Sequence, residues 1–103
     1  RRILDGPGSW AWDPTQLSWH ANEVELLSAG QLVRLDRLVR RKDNGEWWVL
    51  DHKSVHAPQD NAALVAQLRG YRDAVQAIHG TQTVRAAFLG GQGAWIELPA
   101  DAG

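Results

Sequence analysis

The sequence predicts an α/β domain in which a mixed sheet of about five strands, in the order β-β-β-α-β-β, carries one main covering helix. Three observations lead there. Asn44-Gly45 separates two runs of β-branched, aromatic and aliphatic residues, the strongest short-range hairpin signal, because a tight two-residue turn needs positive φ at both central positions. Leu64, Leu68, Tyr71, Val75 and Ile78 recur at helical spacing and draw one apolar stripe. Beyond Gly80, two short apolar runs, 83–89 and 94–98, are separated by Gly90-Gly91-Gln92-Gly93, and Pro99 ends the second.

Taken in order, residues 1–15 form a lead-in broken by Gly6-Pro7-Gly8 and Asp13-Pro14. Trp10 and Trp12 within it are expected to anchor it on the core, the commoner role than stacking on bases. Residues 16–27 alternate imperfectly, with Leu17, Trp19 and Ala21 on one side and Val24 and Leu26 on the other. Ser28-Ala29-Gly30 then turns the chain into a second strand bearing Asp36, and Trp47 to Ser54 forms the third. Asp60 is the expected N-cap of a helix that runs to 77–79, with Gly80 just past its end. Gly70 inside that helix costs about 1 kcal/mol relative to alanine, which points to close approach of another backbone or of DNA. The domain therefore spans 16–99, with a tail at 100–103.

A chain of 103 residues holds one small core. With 44% hydrophobic and 22% charged residues, disorder is excluded. No apolar run is long enough to span a bilayer and no leader pattern is present, so the expectation is a cytoplasmic protein without membrane contact. The absence of cysteine excludes disulfides, thiolate zinc sites and iron–sulfur ligation within the chain. There is no glycine-rich phosphate loop and no serine in a nucleophile elbow, which excludes an ATP-hydrolysing motor and disfavours a serine hydrolase. His52 and His56 have metal-like spacing but lack further ligands for zinc. Without methionine, and beginning Arg1-Arg2-Ile3, the chain is expected to be a piece of a longer polypeptide. Its net charge of −1 is not that of a free-standing DNA binder. Arg34, Arg37 and Arg40, continued by Arg41 and Lys42, form a candidate DNA-binding patch; a charged strand edge that discourages aggregation is an equal alternative.

The chemistry concentrates on the hairpin. If Asn44 and Gly45 are its loop, Asp43 faces Glu46, and Asp36 comes opposite Lys53 and diagonal to Asp51, all three side chains on one face. Two carboxylates and an ammonium then lie within reach of one small ion or one phosphate. Hard oxygen donors suit Mg²⁺, and the lysine suits a developing negative charge, the requirements of phosphodiester hydrolysis. A salt bridge on a sheet surface would use the same residues. Glu23, on the preceding strand, supplies a third carboxylate or pairs with an arginine. Gln67 and Tyr71, four apart on the helix, lie at one edge of its stripe and can point toward the hairpin's polar residues; a core tyrosine beside an exposed glutamine is the plainer alternative.

Asp36, then Asp51-His52-Lys53, then Gln67-Leu68-Arg69-Gly70-Tyr71 resemble, in order and interval, the PD-(D/E)xK nuclease superfamily. Within it, the chain is similar to the C-terminal nuclease domain of RecB- and AddA-type (UvrD/Rep-like) ATP-dependent helicase–nucleases, over roughly 17–98. The resemblance implies a restriction-endonuclease-like core in which Asp36 and Asp51 bind Mg²⁺ or Mn²⁺. It implies that the backbone carbonyl of His52 adds a ligand, that Glu23 stands near a first-strand acid, and that Lys53 is catalytic. Gln67 and Tyr71 would lie near the active site and DNA. The implied activity is exonucleolytic DNA cleavage in repair and recombination. The implied partners are DNA, the helicase motor domains of the same longer polypeptide and a second subunit. Val33 stands where the family often has glycine, and His52 where it usually has tyrosine. The relatives' metal-binding histidine on an upstream helix has no counterpart before Gln16, which leaves open whether this stretch cleaves DNA alone. The alternative is a nuclease-fold module without catalysis, retained for DNA binding or for docking onto a helicase.

Overall fold

The computed structural model describes residues 8–90 and 94–99. Within them run β1 (Leu17–Ser28), β2 (Gln31–Arg41), β3 (Trp47–His52), helix α1 (Ala62–His79), β4 (Val84–Leu89) and β5 (Trp95–Glu97). The strands form one five-stranded sheet in chain order. Every neighbouring pair is antiparallel except β3 and β4, which are parallel and joined through α1. The expected α/β class, mixed sheet and single main helix are thus present, while the turn expected at Gly91-Gln92-Gly93 and the tail 100–103 lie outside the described residues.

Both faces of the sheet are covered. On one, Leu68 and Val75 of α1 pack with Leu38, Val49, Ala86 and Phe88. On the other, Leu17, Val39, Leu50 and Leu89 are closed over by Ala11 with Trp10, Trp12 and Trp95. Trp10 meets Trp48 and Trp95 edge-on, at centroid distances of 5.5 and 5.4 Å, a favoured aromatic arrangement. The lead-in tryptophans are therefore anchors. The segment coils into two 3₁₀ turns, Ser9–Trp12 and Pro14–Gln16, and Asp13 caps the second by accepting the Thr15 N–H at 3.0 Å.

The helix departs from expectation at its start. Its N-cap is Asn61, whose Oδ1 accepts the Leu64 N–H at 3.1 Å, while Asp60 ends a separate 3₁₀ turn, Pro58–Asp60. Asn61 is extended and so can turn its amide oxygen onto the first free amides. At the far end Gly80, at φ +59°, terminates the helix as expected. Ile78 is 58% exposed and does not belong to the packed stripe. A Cβ placed on Gly70 would meet nothing within 4 Å, so no neighbouring backbone among the described residues explains that glycine.

The hairpin loop is longer than two residues. Arg41 N–H bonds Glu46 O at 2.9 Å and Gly45 N–H bonds Arg41 O at 3.0 Å, which makes residues 42–45 the turn, with Gly45 at φ +73°. The register moves by two: Arg37 pairs with Leu50 and Leu38 with Val49. An even shift preserves the parity of the paired residues, while Leu35 and Leu38, three apart, both reach the helix-side core, so alternation along β2 breaks between them. One step beyond the last pair, the same register sets Asp36 across from Asp51 rather than from Lys53.

Strand β1 explains its own imperfect pattern. A register shift between Leu17 and Trp19 separates Leu17, in the tryptophan-covered core, from Trp19, whose ring lies 5.6 Å from that of Trp47. A second break falls at Glu23, at φ +53°, a left-handed conformation rare outside glycine. Asn22 meets Arg37 on the tryptophan side, yet Val24 packs on the helix-side core. The expected division between Leu17, Trp19, Ala21 and Val24, Leu26 is accordingly corrected: Ala21, paired with Leu38, shares the helix side with Val24 and Leu26.

Candidate functional site

The site lies where β3 leaves the sheet. Parallel pairing with β4 holds Asp51 beside Phe88 and His52 beside Leu89, and the Lys53 N–H continues the ladder to Leu89 O at 3.0 Å. The first acid arrives differently. Antiparallel pairing of β2 with β3 ends at Arg37, and the next residue, Asp36, lies between the β1 pairings of Arg37 with Asn22 and of Leu35 with Val24, directly across from the left-handed Glu23. Side-chain alternation is interrupted there, and Asp36 Oδ2 accepts the backbone N–H of His52 at 2.8 Å. A side-chain carboxylate thus closes the end of the ladder.

Asp51 is 4% exposed. Its Oδ2 is sealed from solvent and lies 2.9 Å from the Lys53 ammonium, its counter-charge. Burial pushes the Asp51 carboxyl above the ordinary carboxylate range. Contact with Asp36 pushes in the same direction, and Lys53 opposes both. The Asp36 side chain is 43% exposed and that of Lys53 22% exposed, so solvent reaches the group from one side only. A cleft of about 620 Å³ lies along the loop that follows Lys53, bordered by Ser54, His56, Asp60 and Ala94; Asp36, Asp51 and Lys53 do not line it.

Asp36, Asp51, Lys53 and the His52 backbone are therefore brought together. Glu23 is not: its carboxylate takes Arg34 at 3.0 Å in an exposed ion pair. Gln67 is exposed and Tyr71 half-buried against the helix-side core. Neither makes a hydrogen bond to the carboxylates or to Lys53 among the described residues.

The arginines do not form one patch. Arg34 is engaged with Glu23, and Arg40 bonds Gly45 O at 3.2 Å with its guanidinium 5.5 Å from the Trp47 ring centre. Arg37 is 5% exposed; its Nε and one terminal nitrogen bond Ala11 O at 3.0 and 2.7 Å and the other bonds Asn22 Oδ1 at 2.7 Å. It fastens the lead-in to the sheet and presents no charge to a phosphate. Its position on the inward-facing side was readable only from the register.

The donor set fits a hard divalent cation in part. Two carboxylates and a backbone carbonyl are oxygen donors of the type Mg²⁺ and Mn²⁺ take, with the Lys53 ammonium already 2.9 Å from Asp51 as its counter-charge. Among the described residues no group of three acidic or imidazole side chains is placed to hold a metal ion, so a cation here would depend on waters and substrate oxygens for the rest of its shell. Sequence reasoning missed the left-handed Glu23 and the Asp36–His52 amide bond, and no residue type signals either. In comparisons with known proteins, the chain matches no protein-family model and no curated protein.

Proposed function

We propose that this chain is a divalent-metal-dependent DNA nuclease domain of the PD-(D/E)xK type, belonging to an ATP-dependent helicase–nuclease of DNA repair and recombination in the cytoplasm. The observation that carries the reading is the meeting of Asp36, Asp51 and Lys53 where the parallel strand β3 ends. The biological setting rests on the motif resemblance alone.

Asp36, Asp51 and the His52 carbonyl would hold Mg²⁺ or Mn²⁺, which when bound supplies Lewis-acid polarisation of a phosphate oxygen and a more acidic water. Asp51, whose burial penalises an uncompensated charge, is the acid that gains most from a cation. Lys53 presents its ammonium to the reacting phosphate, where it stabilises charge on the non-bridging oxygens and orients water. Its main chain is fixed by Leu89, so only the side chain need adjust. Gln67 and Tyr71 would help position Lys53 or the phosphate from α1; among the described residues no hydrogen bond ties either to Lys53. The rest of the phosphate affinity falls to the motor domains of the same polypeptide and to a second subunit.

A non-catalytic nuclease-fold module is favoured by two observations, the engagement of Glu23 with Arg34 and the lack of a third clustered side-chain ligand. Substitution separates the two readings. In the helicase–nuclease polypeptide, Asp51→Ala and Lys53→Ala each abolish DNA cleavage and leave ATP-driven unwinding intact. Cleavage at the unsubstituted rate in both variants refutes the catalytic assignment.

A further inference from the structure

Trp19, Arg40 and Trp47 are register partners on three neighbouring strands: Trp19 of β1 pairs with Arg40 of β2, and Arg40 pairs with Trp47 of β3. Paired residues share a face of the sheet, so the three side chains form one row across it. The Arg40 guanidinium lies 5.5 Å from the Trp47 ring centre, the Trp19 and Trp47 rings are 5.6 Å apart, and His79 stacks on Trp47 at 4.1 Å. Three aromatic rings and a fixed cation meet there.

The fold uses only part of this row. Trp47 is 8% exposed and engaged by His79 and Gln82. Trp19 is 43% exposed on the edge strand, whereas Trp10, Trp12, Trp47, Trp48 and Trp95 are all buried or half-buried. Arg40 is half-buried and bonds Gly45 O at 3.2 Å, and among the described residues no carboxylate forms an ion pair with it. An open indole thus stands across the ladder from an uncompensated guanidinium, with about 5 Å between their Cβ atoms. Such a pair favours an anionic ligand over an apolar protein surface, which would bury the cation without a counter-charge.

Resting on the nuclease reading above for the choice of DNA, we propose that Trp19 and Arg40 form a second contact for single-stranded DNA, in which an unpaired base stacks on the Trp19 indole and the adjoining phosphate meets Arg40. Every base has a π face and every nucleotide a phosphate, so the contact tolerates any sequence. A duplex hides those faces and is not held by stacking. The row stands four residues before Asp51 on β3, about 13 Å away at the rise of a strand, so loss of one site does not remove the other.

Fluorescence anisotropy of labelled oligothymidylate, with the whole chain in EDTA to prevent cleavage, tests this on variants shown to be folded by circular dichroism. Trp19→Leu, which keeps an apolar side chain but no π face, should weaken binding about tenfold, whereas Trp19→Phe retains most of it. Arg40→Gln should weaken binding and lower the salt slope by about 0.7, the share of one single-strand phosphate. Binding of a blunt duplex should not respond to Trp19→Leu. Unchanged affinity in Trp19→Leu, an equal loss in Trp19→Phe, or no oligothymidylate binding by the folded, unsubstituted chain overturns the contact, and tighter binding of oligouridylate overturns the choice of DNA. None of these results touches the nuclease reading, which Asp51→Ala and Lys53→Ala decide by cleavage.

Discussion

At Trp47, where β3 begins, polar and aromatic groups are matched in pairs; at Asp51, four residues on, burial and like charge are left partly unmatched. The Trp47 ring stacks on His79 at 4.1 Å, its Nε1 donates to Gln82 Oε1 at 2.7 Å, and its amide bonds Thr83 O at 2.9 Å. Gln76 ties the end of α1 to the same corner by donating to Gly80 O and Gln82 O, both at 2.7 Å. The other end holds a sealed carboxylate against a second carboxylate, with one lysine as counter-charge. One strand thus secures the fold at its start and concentrates reactivity at its end. The difference follows from position: helix and sheet meet at the first end, and β2 parts from β3 at the second.

The largest effect separating the two ends should come from Trp47→Ala, which removes a buried ring, its stacking partner and a hydrogen bond. Stability should fall by about 3–5 kcal/mol, read as a shift in urea denaturation. A loss below about 1 kcal/mol would mean that this corner is not what holds α1 to the sheet.

The two ends should also titrate with opposite sign. Burial, and secondarily Arg40, hold the His79 imidazole below its ordinary pKa, so as pH falls through the ordinary imidazole value the unfolded chain takes the proton first and stability declines. Asp51 is held above its ordinary value, so the native state keeps a proton that the unfolded chain has lost. Its contribution therefore weakens as pH rises from the ordinary carboxylate value through the raised one. In EDTA, Asp51→Asn should remove the second slope, while His79→Gln removes the first. Denaturation midpoints between about pH 4 and pH 8 read both slopes. An Asp51→Asn chain markedly less stable than the parent would show the Asp51–Lys53 pair to be structural.

A smaller effect sharpens the account of how Asp36 is placed. Glu23→Gly and Glu23→Ala both remove the exposed pair with Arg34, so their difference isolates the left-handed backbone. Glycine should be the more stable by about 1 kcal/mol. Equal stabilities would remove Glu23 as the point where side-chain alternation changes.

Much of this was legible in the chain itself. Hairpin, helix and the two terminal strands announce themselves through Asn44-Gly45, the stripe ending at Val75, and the run into Phe88 and Leu89, because turn chemistry and burial period are local properties. The nearness of Asp36 to Asp51 and Lys53 was legible in part: the loop was misjudged by two residues, an even slip that preserves the parity of paired residues, while the interrupted alternation at Asp36 was not foreseen. Ile78 was misplaced because periodicity does not tell where a helix runs past the edge of its sheet.

The linear order of residues determined the element types and put Asp36 on the strand next to the one that carries Asp51 and Lys53. Only the folded chain decided that Glu23 turns away to Arg34, that Arg37 is buried beneath the lead-in and that the His52 ring stands next to Asp36. Those outcomes depend on where strands bend and part, and that is settled by packing between segments distant in sequence, to which local pattern is blind.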